Sequence, residues 1–368
     1  MQIIQLSTAL PESQYSTREL IKIFPCRLPE GVEQNVLNLG VSNRHLIEQP
    51  SSSKEETVMS EKPLIDLCTR ACENAMEKAS LSADEIGYLI TAYDANPFLS
   101  PGLSQLLVPK LGLECHVRHV NVQGIASTAF TKMLELAKNH LAVHPDDNVL
   151  VCVSGVSSYW FQNQVQGLKN VMEISEINKI TDRGQREMEL RKWVATMQFF
   201  LFGDGAAAAI VSRKGKGIEV GKIIEITNVE EKDYLAGYSR LACVGEPFKF
   251  GFYSHLDKEI PRLGVKYTGL ALEQLFGKNT EKMNTVKKWA VHTGSQKILD
   301  SLAEHHGIHH EKLKESHEVL KECGNLAGAS LPFILEKITS TNKFSKGDAI
   351  VMLGYGWGFA ASAGLLQN

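Results

Sequence analysis

The strongest constraint on this chain is an internal repeat at an offset of 201 residues. Asp147 and Asp348 each open an apolar run, in PDDNVLVCVSGV and GDAIVMLGYGWG. Met133-Leu134-Glu135 and Ile334-Leu335-Glu336 fall in the same register, as do Ile90 and Val291 within apolar strands. Three matches in one register, each on the same kind of element, argue for duplication against a chance likeness between two βα units. Each copy reads strand, helix, loop, helix, strand. Apolar strands bounded by helices imply a sheet covered on both faces. Two such sheets packed together predict an α/β protein layered α/β/α/β/α, with one half at 1–213 and the other at 214–368.

Composition agrees with a globular protein of this size. The chain has 368 residues, 43% hydrophobic and 22% charged, enough for two similar cores. A net charge of −3 gives no basic footprint for nucleic acid and none for a membrane surface. No apolar run approaches the roughly 20 residues of a membrane span. The start, MQIIQLSTALPESQYS, lacks the pattern of a secretory signal, so a cytoplasmic protein is expected. Seven cysteines, odd in number and scattered, read as reduced thiols. Cys68 and Cys72 stand four apart, but no second Cys/His pair completes a metal set, and no metal site is expected. Residues 41–62 are polar and turn-rich and read as a surface loop.

In open α/β units, chemistry gathers at the carboxyl ends of strands and at helix starts. In the first copy that place is VNVQGIASTAFTKMLELAKNHL, where a short strand turns at Gly124 and a helix starts near Ser127. A side chain there faces the positive end of a helix and free N–H groups. Ser127 is either a nucleophile or a simple helix cap. In the second copy, KKWAVHTGSQKILDSL puts His292 at a strand end, and KECGNLAGASLPFIL puts Asn325 in a glycine-rich turn. A structural histidine and a turn-forming asparagine are the competing readings. LGYGWGFAASAG closes the chain with glycines at 354, 356 and 358, which let backbone approach a ligand.

Taken together these segments resemble the thiolase superfamily, in its ketoacyl synthase III and type III polyketide synthase (chalcone synthase-like) branch. FLFGDGAAAAIV is similar to that family's FGDGAAA segment, WAVHTGSQKILD to its histidine strand and helix, CGNLAGAS to its asparagine segment and GYGWGFA to its closing glycine loop. NPFLSPGLSQLLVPKLGL resembles the type III segment before the nucleophile. The resemblance implies a thiolase-like fold and an acyltransferase or condensing enzyme acting on acyl-CoA or acyl-carrier-protein thioesters. It carries over catalytic roles to His292 and Asn325, and an oxyanion site to backbone N–H groups at Ser127, Gly356 and Trp357. Phe202 is expected to line the substrate tunnel and Lys297 to guide a phosphopantetheine carrier at its mouth. It implies no resident cofactor, because the substrates are themselves CoA or phosphopantetheine thioesters. It also implies a homodimer, or a heterodimer with a ketosynthase homologue.

One position departs from the family. Ser127, in A-S-T-A-F, stands where ketoacyl synthases read A-C-A-G-F. A thiol near pKa 8.5 becomes a thiolate at a helix start beside histidine. A hydroxyl does not, so a base must take its proton during attack. Serine therefore tilts the site toward acyl transfer through an acyl-Ser127, or toward a non-catalytic or decarboxylating partner subunit. A Cys→Ser trapping substitution gives the same sequence. A second departure is the long segment 162–196, where Val165, Leu168, Met172, Leu190, Trp193 and Met197 recur at helical spacing. It is expected to form one or two amphipathic helices that cover the site, extend a dimer interface or stand in solvent. Asp204, in FGDG, is expected to accept backbone N–H bonds in a tight turn.

Overall fold

In the computed structural model the described residues are 1–48, 50, 61–93, 98, 100–241, 252–277 and 280–368. Cys243, half of the 41–62 stretch, and Asn96, Pro97 and Leu99 lie outside them. The first half runs β1 (Gln2–Ala9), β2 (Gln14–Ser16), α1 (Thr17–Ile23), α2 (Glu30–Leu37), β3 (Asn43–His45), α3 (Glu61–Ala79), β4 (Ile86–Tyr93), α4 (Leu103–Lys110) and β5 (Arg118–Val122). It continues through α5 (Ala129–Val143), β6 (Asn148–Val156), α6 (Ser158–Val165), α7 (Ile174–Ile177), α8 (Arg183–Leu201) and β7 (Asp204–Ser212). The second half runs β8 (Ile218–Thr227), α9 (Glu231–Tyr234), β9 (Gly237–Leu241), β10 (Phe252–Leu256), α10 (Ile260–Phe276), α11 (Thr280–Asn284) and β11 (Lys288–Val291). It ends with α12 (Gln296–His306), α13 (Lys314–Cys323), α14 (Ser330–Thr341), β12 (Ala349–Gly356) and β13 (Ala360–Gln367).

Strand order shows the duplication. Nine strands run β11-β12-β13-β8-β1-β7-β6-β4-β5. Read outward from the centre, β1-β7-β6-β4 and β8-β13-β12-β11 are the same arrangement, each with one parallel pair (β4/β6, β11/β12) at the far side. The two halves meet through β1 and β8 at only two paired positions, Gln2 with Glu219 and Ile3 with Ile218. β5 has no strand counterpart, because the matching stretch of the second half lies within α13 and leads to Asn325.

The five layers follow from which face each strand residue takes. In β7, DGAAAAIVS, every residue is buried. Ala206 and Ala208 pack on the outer core with α3, while Ala207 and Ala209 face the inner core. β6 alternates likewise, Leu150 and Cys152 outward and Val149, Val151 and Val153 inward. The inner core holds α5 and α14, and each touches strands of both halves: α5 reaches across to β8 and β13, and α14 to β1 and β7. Two bonds cross between the halves there, Ser362 Oγ to Thr131 Oγ1 at 3.0 Å and Thr8 Oγ1 to Glu336 Oε2 at 2.5 Å. Phe130 and Leu134 are fully buried in this layer, where truncation to alanine costs about 2–5 kcal/mol. α10 and α12 cover the outer face of the second half.

Two sequence expectations change. The 41–62 stretch is not surface loop throughout: Asn43–His45 pair with Gln14–Ser16, and Val41, Arg44 and Leu46 are buried. Alternating burial over so short a strand leaves too little period to see. The 162–196 segment holds the end of α6, all of α7 and most of α8, three helices where one or two were expected, and it is not a solvated excursion. Phe161, Val165, Val171, Ala195, Met197 and Phe199 form a core of their own with Leu20 of α1, Phe24 just after it, and Val32 and Val36 of α2. The segment's longest exposed run is residues 181–188.

Candidate active site

Ser127 lies in a single 3-10 turn, Ala126–Thr128, that precedes α5. It is 6% exposed. The turn enters with Ala126 at φ 45°, a left-handed value that L residues avoid. The helix cap is Thr128, whose Oγ1 donates to the Ile125 carbonyl at 2.7 Å. Ser127 itself does not cap the helix, so the bland reading of its hydroxyl fails. The closing glycine loop lies directly against it. A Cβ on Gly356 would come within 2.9 Å of Ala126 Cβ and 3.2 Å of the Ser127 nitrogen. Glycine is needed at 356 so that β12 can reach the turn, and Trp357 follows it, half-buried.

His292 follows β11 and is pinned to the same strand. Its N–H donates to the Leu353 carbonyl at 3.0 Å, and its carbonyl accepts from Gly294 N–H at 3.0 Å and from Tyr355 Oη at 3.3 Å. The Tyr355 ring stands edge-on to the imidazole at 5.1 Å. The side chain is buried, and burial pushes its pKa down to about 3, so the imidazole is neutral at pH 7. Its Nδ1 is buried with no hydrogen-bond partner, a costly arrangement.

Asn325 is held by β7's entry. Its N–H donates to Leu201 O at 2.9 Å and its carbonyl accepts from Gly203 N–H at 3.2 Å. Phe202 and Asn325 form a parallel bridge. A Cβ on Gly203 would fall 2.1 Å from the Cys323 carbonyl, so the FGDG segment needs glycine to let this loop pass. The Asn325 carboxamide oxygen accepts from Ala327 N–H at 2.8 Å. It therefore does make the turn expected of such an asparagine, and that use leaves its NH₂ end to donate. The following turn, Ala327–Ala329, packs on Ala126–Thr128.

Ser127, His292 and Asn325 thus come from three loops gathered around the carboxyl end of β12. Phe202 lies beside Asn325, half-buried, with its ring 4.6 Å from Phe161. Lys297 is exposed on the first turn of α12. Three residues escaped the sequence reading. Tyr355 was hidden among the glycines of LGYGWG. Thr293 Oγ1 and Ser330 Oγ share a hydrogen bond of 2.8 Å, and Ser330 Oγ accepts from Leu326 N–H at 3.2 Å, tying the His292 loop to the Asn325 loop. Their adjacency to His292 and to the asparagine segment was the available signal.

Asp204 is fully buried but sits in no tight turn. It accepts from Ile47 N–H at 2.8 Å, Ser158 N–H at 3.1 Å and Ser158 Oγ. It clamps β3's exit and α6 to β7, and burial pushes its pKa up to about 6 against those three donors. Cys68, Cys72 and Cys152 are buried together in the outer core of the first half, as packing residues. No helix among the described residues is long and apolar enough to cross a membrane.

Known proteins share this plan. Residues 277–368 match the C-terminal region of 3-oxoacyl-[acyl-carrier-protein] synthase III. Across 98% of its length the chain is 23% identical to the 3,5-dihydroxyphenylacetyl-CoA synthase of Amycolatopsis orientalis, of which it covers 92%. Its fold matches that of 1,3,6,8-tetrahydroxynaphthalene synthase from Streptomyces coelicolor A3(2), a bacterial type III polyketide synthase, with a TM-score of 0.82 at 19% identity over 100% of this chain and 99% of that one. It also matches a Cys-to-Ser variant of Xanthomonas campestris OleA with bound lauric acid and lauroyl-CoA, with a TM-score of 0.71 at 18% identity over 100% and 98% of the two chains.

Proposed function

We propose that this chain, whose fold is that of the type III polyketide synthases and ketoacyl synthase III, is an acyl-thioester enzyme whose acyl group passes through Ser127. The observation that carries the reading is the gathering of Ser127, His292 and Asn325 around the end of β12. Substrates would be acyl-CoA or acyl-carrier-protein thioesters. The condensing relatives and the lauroyl-CoA complex of a serine variant support that class.

The steps follow from the groups present. Ser127 Oγ attacks the thioester carbonyl as His292 takes the hydroxyl proton. The oxygen charge falls to backbone N–H groups of Ser127 and Trp357. The carbon–sulfur bond then breaks, and His292 returns the proton to the leaving thiolate. The acyl group moves from Ser127 to a carbon, oxygen or nitrogen acceptor. A homodimer, or a pair with a ketosynthase homologue, completes the proposed assembly.

One observation favours a second reading. A histidine held near pKa 3 by burial is a weak base for a hydroxyl but a good neutral donor. Together with the Asn325 NH₂ such a donor would suit an enolate oxygen, and so decarboxylation of a malonyl thioester, in which the carbon–carbon electron pair stays on the enolate as CO₂ leaves. Intact-protein mass spectrometry with a panel of acyl-CoAs separates the two. An adduct that Ser127→Ala abolishes and that His292→Ala forms about 10²–10⁴-fold more slowly supports acyl transfer. No adduct from any donor, with malonyl-CoA decarboxylation that survives Ser127→Ala, replaces it with the second reading.

A further inference from the structure

The second half carries a cluster that the acyl chemistry does not use. Asp300 on α12, His310 in the single turn His310–Leu313 and His317 on α13 each turn one ligand atom toward the others, and these atoms lie within 4.8 Å of one another. Asp300 Oδ1 stands 3.8 Å from His310 Nδ1 and 3.6 Å from His317 Nε2. Both separations are too long for hydrogen bonds. They are close to the roughly 3.3 Å edge of a tetrahedron whose metal–ligand bonds are about 2.0–2.1 Å. The two imidazole rings are 6.2 Å apart, which leaves space between the nitrogens. His317 Nε2 is buried and has no hydrogen-bond partner, which a metal bond would correct.

We propose that Asp300, His310 and His317 form a site for a divalent transition ion of the zinc class, with three protein ligands and one position open to water. Two imidazoles and one carboxylate are the donor set that zinc accepts. Such a set lacks the fixed spacing of paired cysteines and histidines by which a metal site is legible in sequence. Here the ligands come from three elements. The site's place gives it a role. α12 begins four residues after His292, and α13 ends two residues before Asn325. An ion between them staples the two helices whose ends carry the His292 and Asn325 loops. The stretch 305–317 also holds His305, His306 and His309. His306 Nε2 is engaged with Thr268 Oγ1 at 2.9 Å, and the other two serve as controls. The proposal does not rest on the acyl-transfer reading.

The test is titration of the chelator-treated full chain with Co²⁺, followed by its visible absorption, and with Zn²⁺ in competition. One Co²⁺ per chain is expected, with no thiolate-to-cobalt charge-transfer band, displaced by stoichiometric Zn²⁺. Asp300→Ala, His310→Ala and His317→Ala should each weaken binding by at least the roughly 10–100-fold that loss of an outer partner costs, and His305→Ala and His309→Ala should leave it unchanged. His310 is exposed, so its variant folds and keeps the test readable. Zn²⁺ should raise the melting temperature of the wild type and not that of His310→Ala. Equal weakening by the control variants, a thiolate band, or no absorption change at saturating Co²⁺ overturns the site. Stoichiometric binding without a melting shift overturns the staple.

Discussion

The turn that carries Ser127 and the turn that follows Asn325 are the same piece of backbone used twice. Ala126–Thr128 and Ala327–Ala329 are both single 3-10 turns, 201 residues apart, each entering a middle-layer helix. Each begins with an alanine in the left-handed region, Ala126 at φ 45° and Ala327 at φ 47°. A strained residue at both sites shows that the tertiary setting, not local preference, imposes the turn. The side chains differ. The position of Ser127 is Gly328 in the second copy. The two turns pack on each other, and a Cβ at Gly328 would meet Val153 Cγ2 at 3.1 Å and the Ala126 carbonyl at 3.5 Å. One copy offers a hydroxyl. The other gives up its side chain so that the first can be approached, and its polar group, Asn325, moves three residues back.

Exchanging the two residues tests this division most severely. Ser127→Gly should fold and form no acyl adduct, a complete loss on mass spectrometry. Gly328→Ser should keep Ser127 and cost about 1–3 kcal/mol by overpacking, read as a lower denaturation midpoint. If Gly328→Ser leaves stability untouched, the close approach is not what glycine serves there. If it also restores an adduct to the Ser127→Gly protein, the two turns are interchangeable and the asymmetry is wrong.

A smaller contrast lies in the titration of the two halves. Asp204, in the first, has its pKa raised from 3.8 to about 6. The folded protein then binds the extra proton between those values, so this group's contribution to stability falls as pH rises from about 4 to 6. His292, in the second, has its pKa lowered from 6.5 to about 3. There the unfolded chain binds the extra proton, so stability falls as pH drops from about 6.5 to 3. Each shift of one unit is about 1.4 kcal/mol, so both are worth a few kcal/mol. Chemical denaturation across pH 4–7 should show His292→Gln flattening the acid-side loss and Asp204→Asn steepening it. Asp204→Asn should also lower stability at pH 7, because an NH₂ then faces N–H donors. Parallel changes of slope in the two variants would contradict these environments.

The sequence carried the repeat and the five layers, and put Ser127, His292 and Asn325 at the ends of elements, because each of these signals is local or periodic. Buried strands are continuous apolar runs, and a helix start after a strand is a short motif. The missed features join residues far apart in the chain. Phe202 and Asn325 bridge across 123 positions, and Asp204 takes donors from Ile47 and Ser158. Periodicity states which face of an element is buried. It does not state which loop fills the space beyond. The 162–196 segment illustrates the limit: its helical spacing was visible, but its partners, α1 and α2, lie about 150 residues earlier.

The smallest expected effect compares the helices that follow β4 and β11. The first turn of α4 holds no charged residue, whereas α12 places Lys297 at its second position. A cation at a helix N-terminus opposes the macrodipole, which makes the start of a helix the favourable end for anions. Lys297 has no ion pair among the described residues to offset this, so structure alone gives it no benefit. Lys297→Glu should therefore raise stability slightly, by about 0.3–1 kcal/mol at low ionic strength, with the gain shrinking in salt. The same variant should weaken use of an acyl-carrier-protein donor while sparing free acyl-CoA, because a carrier presents an acidic surface that the CoA arm lacks. The two readouts move in opposite directions, which no general damage to the fold can produce. Equal loss with both donors, or a loss of stability, would remove Lys297 from the mouth of the site and leave it an ordinary surface residue.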